Sequence, residues 1–360
     1  MSQKSGEIYF MREREFLEDG FTRLVKVGLV NESKTRDSYV RRKDHQTGNP
    51  RRLVISNDLI VKTHSVSRVE SQLHKRFATK WIHGEWFKFD NDQELISAVS
   101  LARELSEEMA VFQPIFERYE ELQKTPHVVD TTVVPSPKAV EIAKTRKISK
   151  WKMNQCDEML KTIVDQFWVV SDSEVDLDGV VEIVIRSQTR KFEKEDFKKD
   201  WPDLYKKYTQ INSTLRSSFR IGVGATKPDD DSETSTNEFI VELNKIQAEI
   251  DEIPVPNSAR LLIKPYQKLL GLKAQVEWDY DYSQAQLGIE CDTNYRLEGL
   301  GTWRREWKDE TSPVDQSTLK TEQKNIYDRY QSKKPDRQIM FYNGQQVKKG
   351  TREVPEFADS

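Results

Sequence analysis

Gly6-Glu7-Ile8-Tyr9-Phe10, read together with Lys26-Val27-Gly28 farther along, sets the reading of this chain. Apolar residues alternate with polar ones around both pieces, so residues 6–11 and 22–30 are expected to be β-strands. Asp19-Gly20 supplies a turn between them. Arg12 to Phe21 is long for a simple hairpin, so it either extends both strands or forms a loop. Asp37 to Gln46 reads as a helix stopped by Gly48-Asn49-Pro50. Leu53 to Val61 reads as a third strand, and Ser67 to Ala78 as a helix with Val69, Leu73 and Phe77 on one face. Trp86, Phe87 and Phe89 form a short closing strand. The expected class is α+β, with a small three-stranded sheet and helices.

The whole chain sets outer bounds. Its 360 residues suggest two or three domains. With 36% hydrophobic and 32% charged residues and a mean hydropathy of −0.77, it is polar yet able to build several small cores. No apolar run approaches the roughly 18 residues of a membrane helix, so no membrane partner is expected. Met1-Ser2-Gln3-Lys4-Ser5-Gly6 has no apolar region of a secretory signal. Cys156 and Cys291, the two cysteines, make neither a ligand cluster nor a disulfide framework, which fits a reducing cytoplasm. The net charge of −3 conceals an asymmetry. Residues 1–90 hold 18 basic and 12 acidic residues, a net of +6, leaving 39 basic and 48 acidic residues, a net of −9, for the rest. A basic N-terminal module suits phosphate binding, although small α+β domains often carry a few extra lysines.

Downstream, residues 91–124 read as a helical extension. Leu95, Val99, Leu105, Met109, Phe112, Phe116 and Tyr119 recur at helical spacing, a core stripe. Pro126, Pro135 and Pro137 mark residues 125–137 as a linker. An internal repeat follows. Leu177-Asp178-Gly179-Val180 matches Leu297-Glu298-Gly299-Leu300, and Leu204-Tyr205-Lys206-Lys207-Tyr208 matches Ile326-Tyr327-Asp328-Arg329-Tyr330. The offset of about 120 residues suggests two copies of one small α+β module rather than a solenoid. They occupy residues 138–222 and 258–345, each expected to run long helix, β-hairpin, short helix and final strand. Residues 223–257, with Asp229, Asp230 and Asp231, read as an acidic linker and helix, and 346–360 as a tail.

Several polar residues of the first ninety are spaced for chemistry. Arg41 and His45 lie four apart, as do Glu70 and His74, so each pair shares a helix face. Four of the five histidines, His45, His64, His74 and His83, fall in this region. Each has a plainer reading: a solvated glutamate, a strand tyrosine at the surface, core aromatics at Trp81, Trp86 and Phe87.

In order and spacing, Tyr9, Lys26-Val27-Gly28, Arg41 before Gln46-Thr47-Gly48-Asn49-Pro50, Glu70-x-x-x-His74 and Gly84-Glu85-Trp86-Phe87 resemble the GIY-YIG nuclease superfamily, in its short bacteriophage and bacterial branch. The resemblance covers about residues 5–90 and implies a nuclease domain at 1–90. It implies that Glu70 holds one divalent metal, Mg²⁺ or Mn²⁺, and that Arg41 binds phosphate, with Arg42 one register away. It further implies that Tyr9 orients or deprotonates the attacking water, with His45 assisting proton transfer. Lys26 stands where the family name has its second tyrosine, which leaves the general base open between residues. His74 joins Glu70 on one face; a zinc site is the rival reading of these histidines, without a Cys pair to support it. The two downstream copies resemble the appendage of some YqaJ-type phage nucleases.

The expected function is a metal-dependent endonuclease that hydrolyses DNA, with RNA as a further possible substrate and a protein partner through residues 138–345. The cytoplasm is the expected compartment, that of the host if a phage encodes the chain. The rival from another class is a non-catalytic nucleic-acid-binding or adaptor protein that keeps the fold.

Overall fold

The computed structural model describes residues 5–15, 20–33, 35–47, 49–172, 181–186, 190–227, 234–253, 260–333, 336–342 and 345–353. Asp19 of the turn, Gly48, Leu177-Asp178-Gly179-Val180, the aspartates 229–231 and residues 354–360 lie outside the described residues.

Two strands organise the N-terminal part. β1 (Gly6–Arg14) and β2 (Phe21–Asn31) pair antiparallel, with Tyr9 opposite Gly28, Met11 opposite Lys26 and Phe10 opposite Val27. The strands continue past the motif to an Arg14–Phe21 pair, and residues 16–19 lie outside the described residues. Because strand side chains alternate, one face carries Ile8, Phe10, Val25 and Val27 into the largest apolar core. The other carries Tyr9 and Met11 into a smaller cluster with Leu53 and Ile55, and it also bears Lys26 and Gly28.

α1 (Ser38–Gln46) starts at Asp37, whose carboxylate accepts the Val40 N–H at 2.8 Å. Glu7 of β1 accepts from the Ser38 N–H and hydroxyl at 3.1 and 2.7 Å, tying the helix start to the sheet. The apolar run expected as one third strand is divided. β3 (Leu53–Val54) and β4 (Ile60–Thr63) are separated by a 3-10 turn at Asn57–Leu59, where Asn57 and Asp58 favour a turn over a pleat. Both pair with β1, β4 at Gly6–Tyr9 and β3 at Arg12–Glu13. α2 (Val66–Arg76) buries Val66, Val69 and Leu73 in the main core. β5 (Trp81–His83) and β6 (Trp86–Lys88) close the sheet, whose order is β3-β1-β2-β6-β5, so it is wider than its three central strands.

α3 (Asp92–Gln123) is capped by Asn91 and buries the predicted stripe at Leu95, Val99, Leu105, Met109, Phe116 and Tyr119. It lies on β4 and reaches forward to the C-terminal half. The proline-bearing segment after it is tied down by backbone bonds. The His127 N–H donates to Arg305 O at 3.0 Å and the Val128 N–H to Thr293 O at 2.9 Å, and β7 (Thr132–Val133) follows.

The rest comprises α4 (Pro137–Asp172), β8 (Val181–Arg186), β9 (Arg190–Phe192), α5 (Lys194–Asp200), α6 (Pro202–Lys207), β10 (Ile211–Ile221) and α7 (Thr234–Asp251). After these come α8 (Arg260–Cys291), β11 (Arg296–Leu297), β12 (Gly301–Thr311), α9 (Gln316–Glu322), α10 (Lys324–Arg329), β13 (Gln331–Lys333), β14 (Arg337–Tyr342) and β15 (Gln345–Glu353). α4 packs along α8. Three pairings cross between distant parts of the chain, β10 with β12, β14 with β8 and β13 with β9, while β11 pairs with its neighbour β12 and β14 with its neighbour β15. Phe197, Tyr205 and Tyr208 share one small core with Val314 and Leu319. α8 also packs on α2 and α3, so residues of both halves of the chain join in the main core. Among the described residues, no helix is long and apolar enough to cross a membrane.

Candidate functional site

The site is built where β6 parts from β2. Their ladder runs from Leu24–Lys88 to Lys26–Trp86. Beyond it the Val27 N–H donates to Glu85 O at 2.9 Å, and the Val27 carbonyl accepts from His74 Nε2 at 2.8 Å. Strand, turn and α2 thus meet at one main-chain unit.

Tyr9 lies across from Gly28, and only glycine leaves room for its ring. A Cβ on residue 28 would sit 2.5 Å from the Tyr9 hydroxyl oxygen. That hydroxyl is 3.3 Å from His45 Nε2 and accepts a hydrogen bond from Arg41. Arg41 and His45 face it from α1, one helical turn apart. The neighbouring Arg42 is turned away and donates to Leu53 O at 3.2 Å. Tyr9, Arg41 and His45 thus converge, and Arg42 does not join them.

The Gln-Thr-Gly-Asn-Pro stretch holds α1 in this place. The Gln46 side-chain N–H donates to Asn49 O and Arg51 O at 3.0 and 2.9 Å, while its oxygen accepts from the Leu53 N–H at 2.8 Å. Asn49 donates to Glu13 of β1 at 2.8 Å. A glutamine and an asparagine can each donate and accept, so this pair staples helix, loop and sheet together.

Lys26 is 8% exposed, and its ammonium pairs with Glu85 Oε2 at 2.7 Å. It also lies 5.9 Å from the Trp86 ring centroid, a favourable cation–π placement. Glu70 and His74 project from α2 toward the same region. Burial, reinforced by the negative charge of Glu85 and opposed by Lys26, pushes the Glu70 carboxyl up to about 7. Burial and the charge of Glu85 push the Tyr9 hydroxyl up to about 12, with Arg41 acting against them. Burial, together with Lys26 and Arg41, holds His45 below the usual imidazole value. Burial does the same to His74, although its bond to the Val27 carbonyl opposes this. At neutral pH the cluster therefore holds a phenol, two neutral imidazoles and a carboxylate on the edge of ionisation, beside Arg41 and the Lys26–Glu85 pair.

Glu70 is a hard oxygen donor beside a cleft, and a bound cation would favour its charged form. That donor chemistry suits Mg²⁺ or Mn²⁺, which retain most of their waters on one or two carboxylates. Among the described residues no group of three or more His, Cys, Asp and Glu is placed to hold a metal. His64 stands apart, with Nδ1 3.2 Å from the Ser5 hydroxyl.

A cleft of about 340 Å³ opens beside Glu70 and His74, and its far wall is α8 with Lys273 and Glu277. Lys75 of α2 pairs with Glu277 at 2.6 Å. These α8 residues had no sequence signal, because they lie about 200 positions from Glu70, and charges on a helix ordinarily mark a solvated face. Glu85, read from sequence only as a neighbour of the site, is its main electrostatic partner.

Residues 6–103 match the T5orf172 domain, a nuclease-type domain, which includes every member of the cluster and the start of α3. No curated protein and no solved structure matches the chain.

Proposed function

We propose that the nuclease-type domain at residues 6–103 is a GIY-YIG-type endonuclease that hydrolyses DNA phosphodiester bonds with Mg²⁺ or Mn²⁺ held by Glu70. The observation that carries this reading is the convergence of Arg41, His45 and Glu70, each half-buried, on the buried Tyr9, made possible by a glycine at position 28. A buried tyrosine hydroxyl takes a hydrogen-bond partner in any role, so it is the joint placement of an arginine, a histidine and Glu70 around it that favours the nuclease reading.

Arg41 orients the phosphate through its planar fork of donors. Tyr9 enters as a phenol, because burial holds its proton. It accepts a proton from the attacking water while passing its own to His45 Nε2, which is neutral and within reach at 3.3 Å. The new bond forms between water oxygen and phosphorus, and the 3′ oxygen leaves and is protonated by solvent, giving 5′-phosphate and 3′-hydroxyl ends. Lys26, held by Glu85, keeps positive charge beside Tyr9 as negative charge develops. His74 fixes the Val27 main chain and so the strand that carries Lys26 and Gly28. Glu70 would hold the divalent metal, which when bound would supply Lewis-acid charge to the reaction.

We further infer that residues 138–222 and 258–345 are copies of one module. Each runs helix, strands and two short helices, followed by one strand in the first copy and two in the second, and each lends a strand to the other, β10 to β12 and β14 to β8.

The test is plasmid nicking by wild type and Glu70→Ala with Mg²⁺, Mn²⁺ or EDTA. Metal-dependent cutting that the variant loses supports the nuclease and its metal ligand together. DNA binding without cutting, unchanged in the variant and insensitive to EDTA, supports the adaptor reading instead.

A further inference from the structure

The cleft between α2 and α8 is not needed to explain hydrolysis, yet it shares Glu70 and His74 with the proposed centre. Whatever fills it touches the residue proposed to hold the metal. We propose that it receives one unpaired nucleobase of the DNA substrate, so that the C-terminal half of the chain directs cutting to unstacked or single-stranded positions. This rests on the nuclease reading of Glu70.

Size and chemistry both favour that occupant. At about 340 Å³ the cleft stands at the lower end of the roughly 300–1,000 Å³ typical of small-ligand sites, large enough for one nucleotide and too small for duplex. Its floor is apolar and aromatic, from Trp81, Phe87, Leu270 and Tyr342, with the Trp81 and Tyr342 rings 5.3 Å apart. Such surfaces stack on any base, since every base has a π-face.

The rim is charged but balanced. Lys273 is held by Asp157 at 2.9 Å and by Glu277 at 3.4 Å, and Glu277 also holds Lys75. A phosphate would need surplus positive charge, which this rim does not offer. A neutral heterocycle needs donors and acceptors at its edge, and the ammonium groups and the Glu277 carboxylate supply both. The division of labour is then phosphate to Arg41 and base to the cleft.

The experiment measures binding by the full-length protein in EDTA, so that no strand is cut. The probes are a fluorescent duplex with one bulged nucleotide and the same duplex fully paired. The variants are Ser71→Trp, which fills the cleft from an exposed position on α2, and Leu270→Trp, which fills it from α8. Wild type is expected to favour the bulged duplex about tenfold, the scale of one base stacked on aromatics. Both variants are expected to reduce that preference below about twofold and to leave affinity for the paired duplex in place. Equal affinity of wild type for the two probes, binding to neither, or a preference that survives both variants would overturn the proposal. Ser71→Trp lies on the helix surface and keeps the test valid if Leu270→Trp does not fold. Nicking by wild type against Glu70→Ala reads the nuclease separately, so either idea can fail while the other stands.

Discussion

At Gly28 a single hydrogen separates a working cluster from a clash. Gly28→Ala would place a Cβ 2.5 Å from the Tyr9 hydroxyl oxygen, and the buried ring has little room to retreat. The variant is expected to lose about 1–3 kcal/mol of stability in urea melts, the usual cost of overpacking, and to nick DNA at least about tenfold more slowly. Arg41→Ala is expected to lower the nicking rate about 10²–10³-fold, as removal of a charged oxyanion donor does, whereas Arg42→Ala costs about 1 kcal/mol of stability and little rate per folded molecule. Glu70 gives a pH signature. Its folded value, about 7, lies above the ordinary 4.5. The stability it contributes is complete below about 4.5 and is lost as pH rises through 7. Metal-free Glu70→Gln should therefore melt like wild type at pH 4.5 and be more stable than wild type at pH 8, by about 1–3 kcal/mol. Equal melting at both pH values would show that Glu70 is not strained in the folded state. That Arg41 shares a face with His45, and Glu70 with His74, was readable from spacing, whereas Tyr9 stood out only through the family resemblance. Which arginine faces Tyr9 was not readable, because adjacent helix positions differ by about 100° and only packing selects between them.

At the level of elements, α1 owes its position more to the loop after it than to its own burial. Its only buried residue is Ser38, so it has almost no apolar face to anchor it. Gln46 supplies the missing fixation through three hydrogen bonds to the loop and β3. Gln46→Ala leaves the Leu53 N–H and two carbonyls without that partner, for an expected loss of about 1–3 kcal/mol in a urea titration. Because Arg41 and His45 ride on the same helix, the nicking rate should fall as well, and Gln46→Glu should recover less than half of the loss, since a carboxylate accepts but cannot donate. Wild-type activity in Gln46→Ala would mean that α1 is held by other means. The stop after α1 was legible as Gly-Asn-Pro. The stapling role of Gln46 was not, since a glutamine at a helix end carries no pattern.

The two halves of the molecule share one core. Val69 and Leu73 of α2, Leu105 and Met109 of α3, and Leu262 and Leu269 of α8 belong to the same buried cluster. Long-range strand pairs bind the C-terminal half to itself in the same way, with Ser217 opposite Arg305 and Phe219 opposite Trp303. Calorimetry of the full chain is therefore expected to show one cooperative transition, and a fragment ending at residue 124 should melt at lower temperature or aggregate, because it exposes the faces of α2 and α3 that α8 covers. Two well-separated transitions, or a fragment as stable as the whole, would mean that the halves fold independently.

Local order in this protein was written in its sequence: the alternation that makes β1 and β2 and the 3.6-residue stripe that makes α3. These depend on neighbours within a few turns or one strand pair, and periodicity records them. Only the tertiary structure decided that Lys26 is paired with Glu85, that β10 lies on β12 rather than in a hairpin of its own, and that α8 walls the cleft beside Glu70. Each joins residues tens to hundreds of positions apart. Such contacts are selected by the packing free energy of the whole fold, which leaves no local periodic trace to read.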